Sequence, residues 1–205
     1  MQVHEKSQNN LYSLIPLEDF KTVLGIDDRD ERIAKFCLVT ATHSIEQFCK
    51  RRLLRKKHFE NLPFWGDCSL TLAHYPVLEI LAIYIRQRGQ VEMMILEPEM
   101  YMVVPDCGSG ENWPFTLSLS PGLRIERGEY SVKAVYKAGY ASGKAPPDLA
   151  SACLELAAWN MARYKGRKIG TTGIIRGSGR DGEHFEMSMP ENVKALLEPY
   201  RRKVI

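Results

Sequence analysis

The chain has 205 residues, of which 44% are hydrophobic and 26% are charged. At this length roughly 70% of the unfolded chain's surface can be buried, so stability requires neither disulfides nor a metal. No run approaches about 18 apolar residues, which argues against a membrane-spanning helix. The net charge of +3 does not by itself indicate a nucleic-acid binder. Because the five cysteines form no CxxC pair and the polar start has no apolar signal core, we expect reduced thiols in a cytoplasm.

Two helices are predicted near the N-terminus. The residues up to about Leu14 show no periodicity and are interpreted as a loose arm. Pro16 then opens a short amphipathic run that Gly25 is placed to end. Asp28 or Asp30 can cap a longer helix, in which residues recur at spacings of three and four. These residues are Ile33, Phe36, Cys37, Thr40, Ala41, Ser44, Ile45 and Phe48.

The pattern changes between about Arg55 and Tyr140, where short runs of β-branched and aromatic residues alternate with glycine and proline. Turns are expected at 86–90 and 120–122. No connection is long enough for a crossover helix, so a small antiparallel β element is predicted. Its strands are predicted at 70–72, 77–86, 91–96, 101–104, 116–119, 123–126 and 130–136.

Helix returns after the prolines at 146 and 147. Small residues on this helix, Ala152, Ala157 and Ala158, allow close approach of the first long helix or of another subunit. Six glycines between 166 and 182 predict a mobile loop. A strand-like run at 184–189 and a helix from Pro190 to about Lys203 follow. The inward residues of that helix are predicted to be Val193, Leu196, Leu197 and Tyr200.

The predicted fold class is therefore α+β, a small helical bundle with an inserted antiparallel β element. We expect one domain over residues 1–205. Its parts are a helical core at about 15–54 and 146–166, a β insertion at 55–140, a flexible loop at 167–189 and a C-terminal docking helix and tail at 190–205.

No motif predicts a catalytic, cofactor-binding or metal-binding residue. Gly177, Gly179 and Gly182 have the letters of a dinucleotide loop, but no strand leads in and no helix follows directly. The histidines show no zinc spacing, and the pair His43 and Glu46 is more typical of a helix surface than of a catalytic dyad.

Two features suit a partner surface. A basic cluster follows the long helix: Lys50, Arg51, Arg52, Arg55, Lys56 and Lys57. The cluster could bind either phosphate or an acidic protein surface, although such clusters more often lie at a solvent-exposed helix end. Large aromatic residues flank the β element, where they can lie under a loop or anchor an interface. They are Phe59, Phe64, Trp65, Trp113 and Phe115.

Several short segments stand in an order typical of one known family. The first runs from Pro16 to Asp28, and the second is the long helix with Ile33, Ala41, Ile45, Glu46, Phe48 and Cys49, ending in Lys50–Arg52. Tyr75, Pro76 and Val77 match a strand start. The most specific segment is Val135, Tyr136, Lys137, Ala138, Gly139 and Tyr140, followed by Pro147, Asp148, Leu149 and Ala152. By these segments the chain resembles the head-tail connector (adaptor) proteins of tailed bacteriophages, a family that includes prophage and gene-transfer-agent proteins.

The resemblance implies a structural virion protein without catalysis or cofactor. Its members form a dodecameric ring beneath the portal, extend the DNA channel and provide the platform for the stopper or tail. The expected partners are thus further copies of this chain, the portal protein, the stopper or tail-completion protein, and double-stranded DNA that passes without sequence-specific binding. The expected location is the head-tail interface, after assembly in the host cytoplasm. The residues implied to dock on the portal are Leu196, Leu197, Tyr200, Arg201 and Arg202.

Two alternatives stay open. The chain can be a small nucleic-acid-binding protein that uses the basic cluster and the basic C-terminal quarter, in which case its affinity for DNA falls steeply with salt. It can also be an enzyme whose site is assembled from distant residues such as His43, Glu46 and His184.

Overall fold

The computed structural model describes residues 12–105, 114–166 and 189–202. The chain divides into two compact units. One, the helical unit, takes the residues up to Phe48 together with Ser142–Pro199; the other, the β unit, takes Cys49–Ala141 together with the residues from Tyr200 onward. The α+β class is confirmed. The predicted glycine-rich loop and the strand-like run after it fall on residues 167–188, which lie outside the described residues.

The helices are α1 (Leu17–Leu24), α2 (Glu31–Cys49), α3 (Pro147–Lys165) and α4 (Glu191–Leu197). α1 ends as predicted at Gly25, whose φ of 61° is left-handed and whose N–H donates to the Lys21 carbonyl. α4 is shorter than predicted. It gives way to a 3-10 turn, Glu198–Tyr200, because Pro199 has no N–H with which to continue the helix.

α2 and α3 lie antiparallel. The Thr42 hydroxyl is 3.6 Å from the Cys153 thiol, and Phe36 meets Tyr164 edge to face with ring centroids 5.5 Å apart. Ala152 and Ala157 of α3 are fully buried, so the small residues do allow close packing. The buried stripe of α2 differs from the predicted one, because Ile33 and Phe36 are exposed whereas Leu38 is buried.

The residues just before α1 are more ordered than the predicted arm. Leu14 is fully buried and Ser13 is 2% exposed. The Leu14 N–H donates to the Thr42 hydroxyl, and the Leu14 carbonyl accepts from the Gly143 N–H. The arm therefore ends before Ser13, because these backbone groups are held by distant partners that no local pattern reveals.

The β unit contains two antiparallel sheets among its described residues, where the sequence predicted a single small element. The strands are β1 (Lys56–Phe64), β2 (Ser69–Leu72), β3 (Val77–Arg86), β4 (Met93–Ile95), β5 (Tyr101–Pro105), β6 (Phe115–Leu119) and β7 (Gly128–Ala138). One sheet has the order β1-β7-β3-β4 and the other has the order β2-β6-β5. Leucines, isoleucines and aromatic residues of both sheets form one hydrophobic core.

Two strand predictions were wrong. β1 was not predicted, although its alternation places His58, Leu62 and Phe64 inside and lysines outside. The strand predicted at 123–126 is only a single bridge between Gln87 and Ile125. The predicted turns at 86–90 and 120–122 are present, with left-handed glycines at Gly89 and Gly122.

Candidate assembly surfaces

The family motif lies on the central strand of the larger sheet and at its end. β7 pairs with both β1 and β3. Tyr136 is fully buried, and its hydroxyl donates to the Glu60 carboxylate and accepts from the His74 N–H. Burial, with Glu60 adjacent, raises the pKa of Tyr136. Glu60 also accepts from the Ala73 N–H, so the motif tyrosine joins β1 to the segment that follows β2.

Gly139 of the motif is required by a close backbone approach. Its φ is +100°, and a Cβ there would lie 2.6 Å from the Leu53 carbonyl oxygen. The neighbouring Tyr140 N–H donates to that same carbonyl, and the Tyr140 carbonyl accepts from the Arg55 N–H. The motif therefore clamps the segment after α2 against the end of β7, which is a structural role.

Arg51 was expected to belong to an exposed basic cluster, but it is 3% exposed. Its guanidinium lies 3.7 Å from the centre of the Tyr75 ring and donates to the carbonyls of Tyr75 and Tyr200. Burial lowers the pKa of Arg51. Through Tyr200, Arg51 helps to hold the C-terminal segment within the β unit. The backbone N–H of Arg202, which donates to the Cys49 carbonyl, holds the same segment.

The portal-docking set is split by burial. Leu197 and Tyr200 are buried, Leu196 is half-buried, and Arg201 and Arg202 are exposed. Leu196 and Leu197 belong to α4, which packs on α3, whereas Tyr200, Arg201 and Arg202 belong to the β unit. The two arginines are thus the exposed members of the set.

The second half of the motif starts α3. Pro147 is the first residue of the helix, where its missing N–H costs nothing. The Asp148 carboxylate accepts from the Leu149 N–H in the first turn, and Leu149 is fully buried. These residues fix where the helix begins and do not form a binding site.

A stacked histidine pair lies beside the motif tyrosine. The ring centroids of His58 and His74 are 4.1 Å apart, and His74 Nδ1 accepts from the Arg52 N–H. Burial and the nearby positive charges of His58, Arg202, Lys56 and Arg52 lower the pKa of His74 to about 3. His74 is therefore neutral at physiological pH, and its role is to pack and to accept a hydrogen bond.

Among the described residues, those of the enzyme alternative do not assemble into a site. His43 pairs with Gln47 on the surface of α2, Glu46 is buried, and His184 lies outside the described residues. Burial raises the pKa of the Cys37 and Cys153 thiols to about 11, which suits packing and not nucleophilic attack. In residues 12–105, 114–166 and 189–202 no cluster of side chains could hold a metal ion, and none of the helices is long and apolar enough to cross a membrane.

Two exposed surfaces involve different outer strands of the β unit. At the β1 edge, Phe59 is 64% exposed, with Lys57 Nζ 4.9 Å and Lys133 Nζ 5.7 Å from its ring centroid. On the other side of the sheet order, residues 91–105 lead from β4 into β5, an outer strand of the smaller sheet, and contain three glutamates and no lysine or arginine. The exposed apolar side chains there include Met94, Ile95, Met100, Met102 and Val104. The difference in charge between these two segments is visible in the sequence. Because β1 was not predicted, however, the sequence did not show where the two surfaces lie in the fold.

Comparison with known proteins is informative only at the level of structure. No family model matches the chain, and no curated protein matches it. A chain from the neck of an empty gene transfer agent particle, computed with C6 symmetry, has a TM-score of 0.61 and 20% identity, over 94% of this chain and 91% of that one. A chain from the native particle's neck, computed with C12 symmetry, covers the same shares with a TM-score of 0.58 and 21% identity.

A chain from the virion of the native gene transfer agent particle also matches, with a TM-score of 0.57 and 22% identity, over 94% of this chain and 91% of that one. The likeness extends over nearly the whole length of both chains. This chain therefore has the fold of proteins in gene transfer agent necks, and the resemblance to head-tail connectors is confirmed at the level of the fold.

Proposed function

We propose that this chain is a structural neck protein of a tailed phage or phage-like particle, a head-tail connector. The observation that carries the proposal is the fold shared with gene transfer agent neck chains over 94% of the sequence. A fold alone does not define a function, but a match over nearly the whole of both chains favours the same kind of role.

The chemistry of the described residues supports a structural role. Several buried or half-buried polar side chains are engaged within the chain: Arg51 on two carbonyls, Tyr136 on Glu60, and His74 on the backbone N–H of Arg52. A catalytic site needs a nucleophile, a base and a pocket in mutual reach, and these groups instead join strands and loops. We therefore propose no enzymatic activity.

In the proposed assembly, twelve copies form a ring beneath the portal, extend the DNA channel and carry the stopper or tail. The related neck chains were computed with C6 and C12 symmetry, which suits a ring whose subunits meet through two different faces. We propose that DNA passes through the ring without sequence-specific contact, that the protein is located at the head-tail interface of the virion, and that assembly takes place in the host cytoplasm.

We propose that the five residues of the portal-docking set contribute to docking in different ways, according to how buried each one is. Arg201 and Arg202, which are exposed, would meet the portal, while Leu197 and Tyr200, which are buried, would position them. Leu196, which is half-buried, would contribute at the margin. A buried side chain is a poor first contact because exposing it would cost the packing of its own unit.

The experiment is to measure the mass of the purified chain alone and with its portal protein, with negative-stain images of any large species. Rings, or a complex that forms only on the portal, are expected. The variant Arg201→Glu with Arg202→Glu should lose portal binding, while Lys144→Glu, an exposed lysine of the helical unit, should not. A wild-type chain that stays monomeric with the portal present would overturn the proposal.

A further inference from the structure

We propose that a surface beside β1 and a surface formed by β4, β5 and the link between them are the two halves of the contact between neighbouring copies. The basic aromatic surface, defined as Lys57, Phe59 and Lys133, would dock on the acidic methionine surface of the next copy, defined as residues 94–104. This inference rests on the ring proposed above and names the faces that close it.

The basic aromatic surface is not explained by the folding of one chain. Lysines on an edge strand commonly prevent unwanted strand pairing, so Lys57 alone would need no partner. A phenylalanine that is 64% exposed between two lysines has a different meaning. It offers a large apolar ring, with both cations placed to meet carboxylates around it, which is the usual composition of an interface anchor.

The acidic methionine surface has the matching chemistry. Met94 and Ile95 on β4 and Met102 and Val104 on β5 are exposed apolar side chains, joined by a link of five residues that carries Glu97 and Glu99. Methionine side chains adapt to the shape of a partner and make favourable contacts with aromatic rings. Glu97 and Glu99 are exposed and would face Lys57 and Lys133 of the neighbour.

The topology places these two surfaces apart, on different outer strands of the β unit. β1 and β4 are the outer strands of the order β1-β7-β3-β4, so they are separated by three strand spacings, or about 14 Å. A contact of either surface with its own copy would oppose like charges, lysine to lysine or glutamate to glutamate. Head-to-tail contact is the arrangement that pairs opposite charges, and it is the arrangement that generates rings.

The test uses two charge-reversed forms of the full-length chain. One carries Lys57→Glu with Lys133→Glu, and the other carries Glu97→Lys with Glu99→Lys. Each should raise the protein concentration needed for half-maximal ring formation by about tenfold or more. The control variants Lys144→Glu and Glu18→Lys reverse exposed charges of the helical unit and should assemble as the wild type does. Circular dichroism checks that every variant is folded.

Mixing the two defective forms in equal amounts gives the sharpest result. In a head-to-tail ring, alternating copies restore opposite charges at every contact, so the mixture should form rings that neither form makes alone. The mass of the assemblies, measured alone or on the portal if assembly needs it, reports this directly.

Different outcomes overturn different statements. Reversed forms that assemble as the wild type does would overturn the proposed contact and leave the ring intact. If the lysine-reversed form keeps its rings but no longer retains short duplex DNA at low salt, the surface binds nucleic acid and the contact is overturned. A wild-type chain that forms no ring, alone or on the portal, would overturn the neck function and this contact with it.

Discussion

The helical unit and the β unit are stabilised in different ways. In the helical unit, apolar residues at helical spacing pack together, and ion pairs lie at the surface, such as Lys21 with Asp28 and Glu31. In the β unit, buried polar groups hold distant segments together. Arg51 binds the carbonyl of Tyr200, which is 149 residues away in the chain.

The difference shows where each unit is vulnerable. A surface ion pair contributes little because water screens it, whereas removing one partner of a buried hydrogen bond leaves the other unsatisfied. The β unit should therefore respond sharply to single substitutions at its buried polar contacts, and the helical unit should respond little to substitutions at its surface ion pairs. Substitutions in matched pairs test this contrast.

The largest effect is expected at Gly139. In Gly139→Ala the new Cβ would lie 2.6 Å from the Leu53 carbonyl oxygen, at a φ of +100°. Because backbone cannot easily move away, the free energy of unfolding should fall by about 4 kcal/mol. The control is Gly25→Ala in the helical unit, where φ is +61° and nothing lies within 4 Å, so only about 1 kcal/mol should be lost. Equal losses in urea unfolding would contradict the role given to Leu53.

Arg51 should show the next largest effect. Arg51→Met keeps most of the side-chain volume but leaves the carbonyls of Tyr75 and Tyr200 without their donor, so about 3 kcal/mol should be lost. Arg55→Met, at an exposed position, should change the free energy of unfolding by less than about 0.5 kcal/mol. Urea unfolding followed by circular dichroism compares the two, and similar midpoints would show that Arg51 is not a structural residue.

The same contrast explains how far the sequence predicts the fold. α1 and α3 follow from local signals, since Pro16, Gly25 and Pro147 mark their ends and apolar spacing marks their length. β1 was missed because its start lies within a run of basic residues that was interpreted as the end of a helix. The alternation of inward and outward residues along β1, with His58 and Leu62 inward, is the sequence pattern that would have predicted this strand.

The functional surfaces were harder to predict, for a physical reason. Burial of Arg51 depends on carbonyls contributed by residues far along the chain, and no local pattern reveals such partners. The motif glycine was found through resemblance, yet its reason, the approach of Leu53, is visible only in three dimensions. Likewise, the exposure of Phe59 depends on β1 being an outer strand.

A smaller effect is expected from His74 as the pH falls. Its pKa is about 3 in the folded chain against an ordinary 6.5, so between these values the unfolded chain binds the extra proton. The contribution of neutral His74 to the free energy of unfolding is therefore fully present above pH 6.5. It falls by about 2 kcal/mol toward pH 3, after allowance for partial exposure. His74→Gln should flatten this part of the pH profile of unfolding. A profile unaltered by His74→Gln would rule out this histidine as the cause.

The smallest effect is expected at Lys21 in the helical unit. Its ammonium lies 2.7 Å from an Asp28 oxygen and 2.8 Å from a Glu31 oxygen, and the hydrogen bond with Lys21 lowers the pKa of Asp28. Because Asp28 is almost fully exposed, water and salt screen the attraction. Lys21→Met should therefore shift the urea midpoint less than Gly139→Ala or Arg51→Met, and the shift should vanish in high salt. A loss as large as that of Arg51→Met, or one that persists in salt, would show that the helical unit also depends on a specific polar contact.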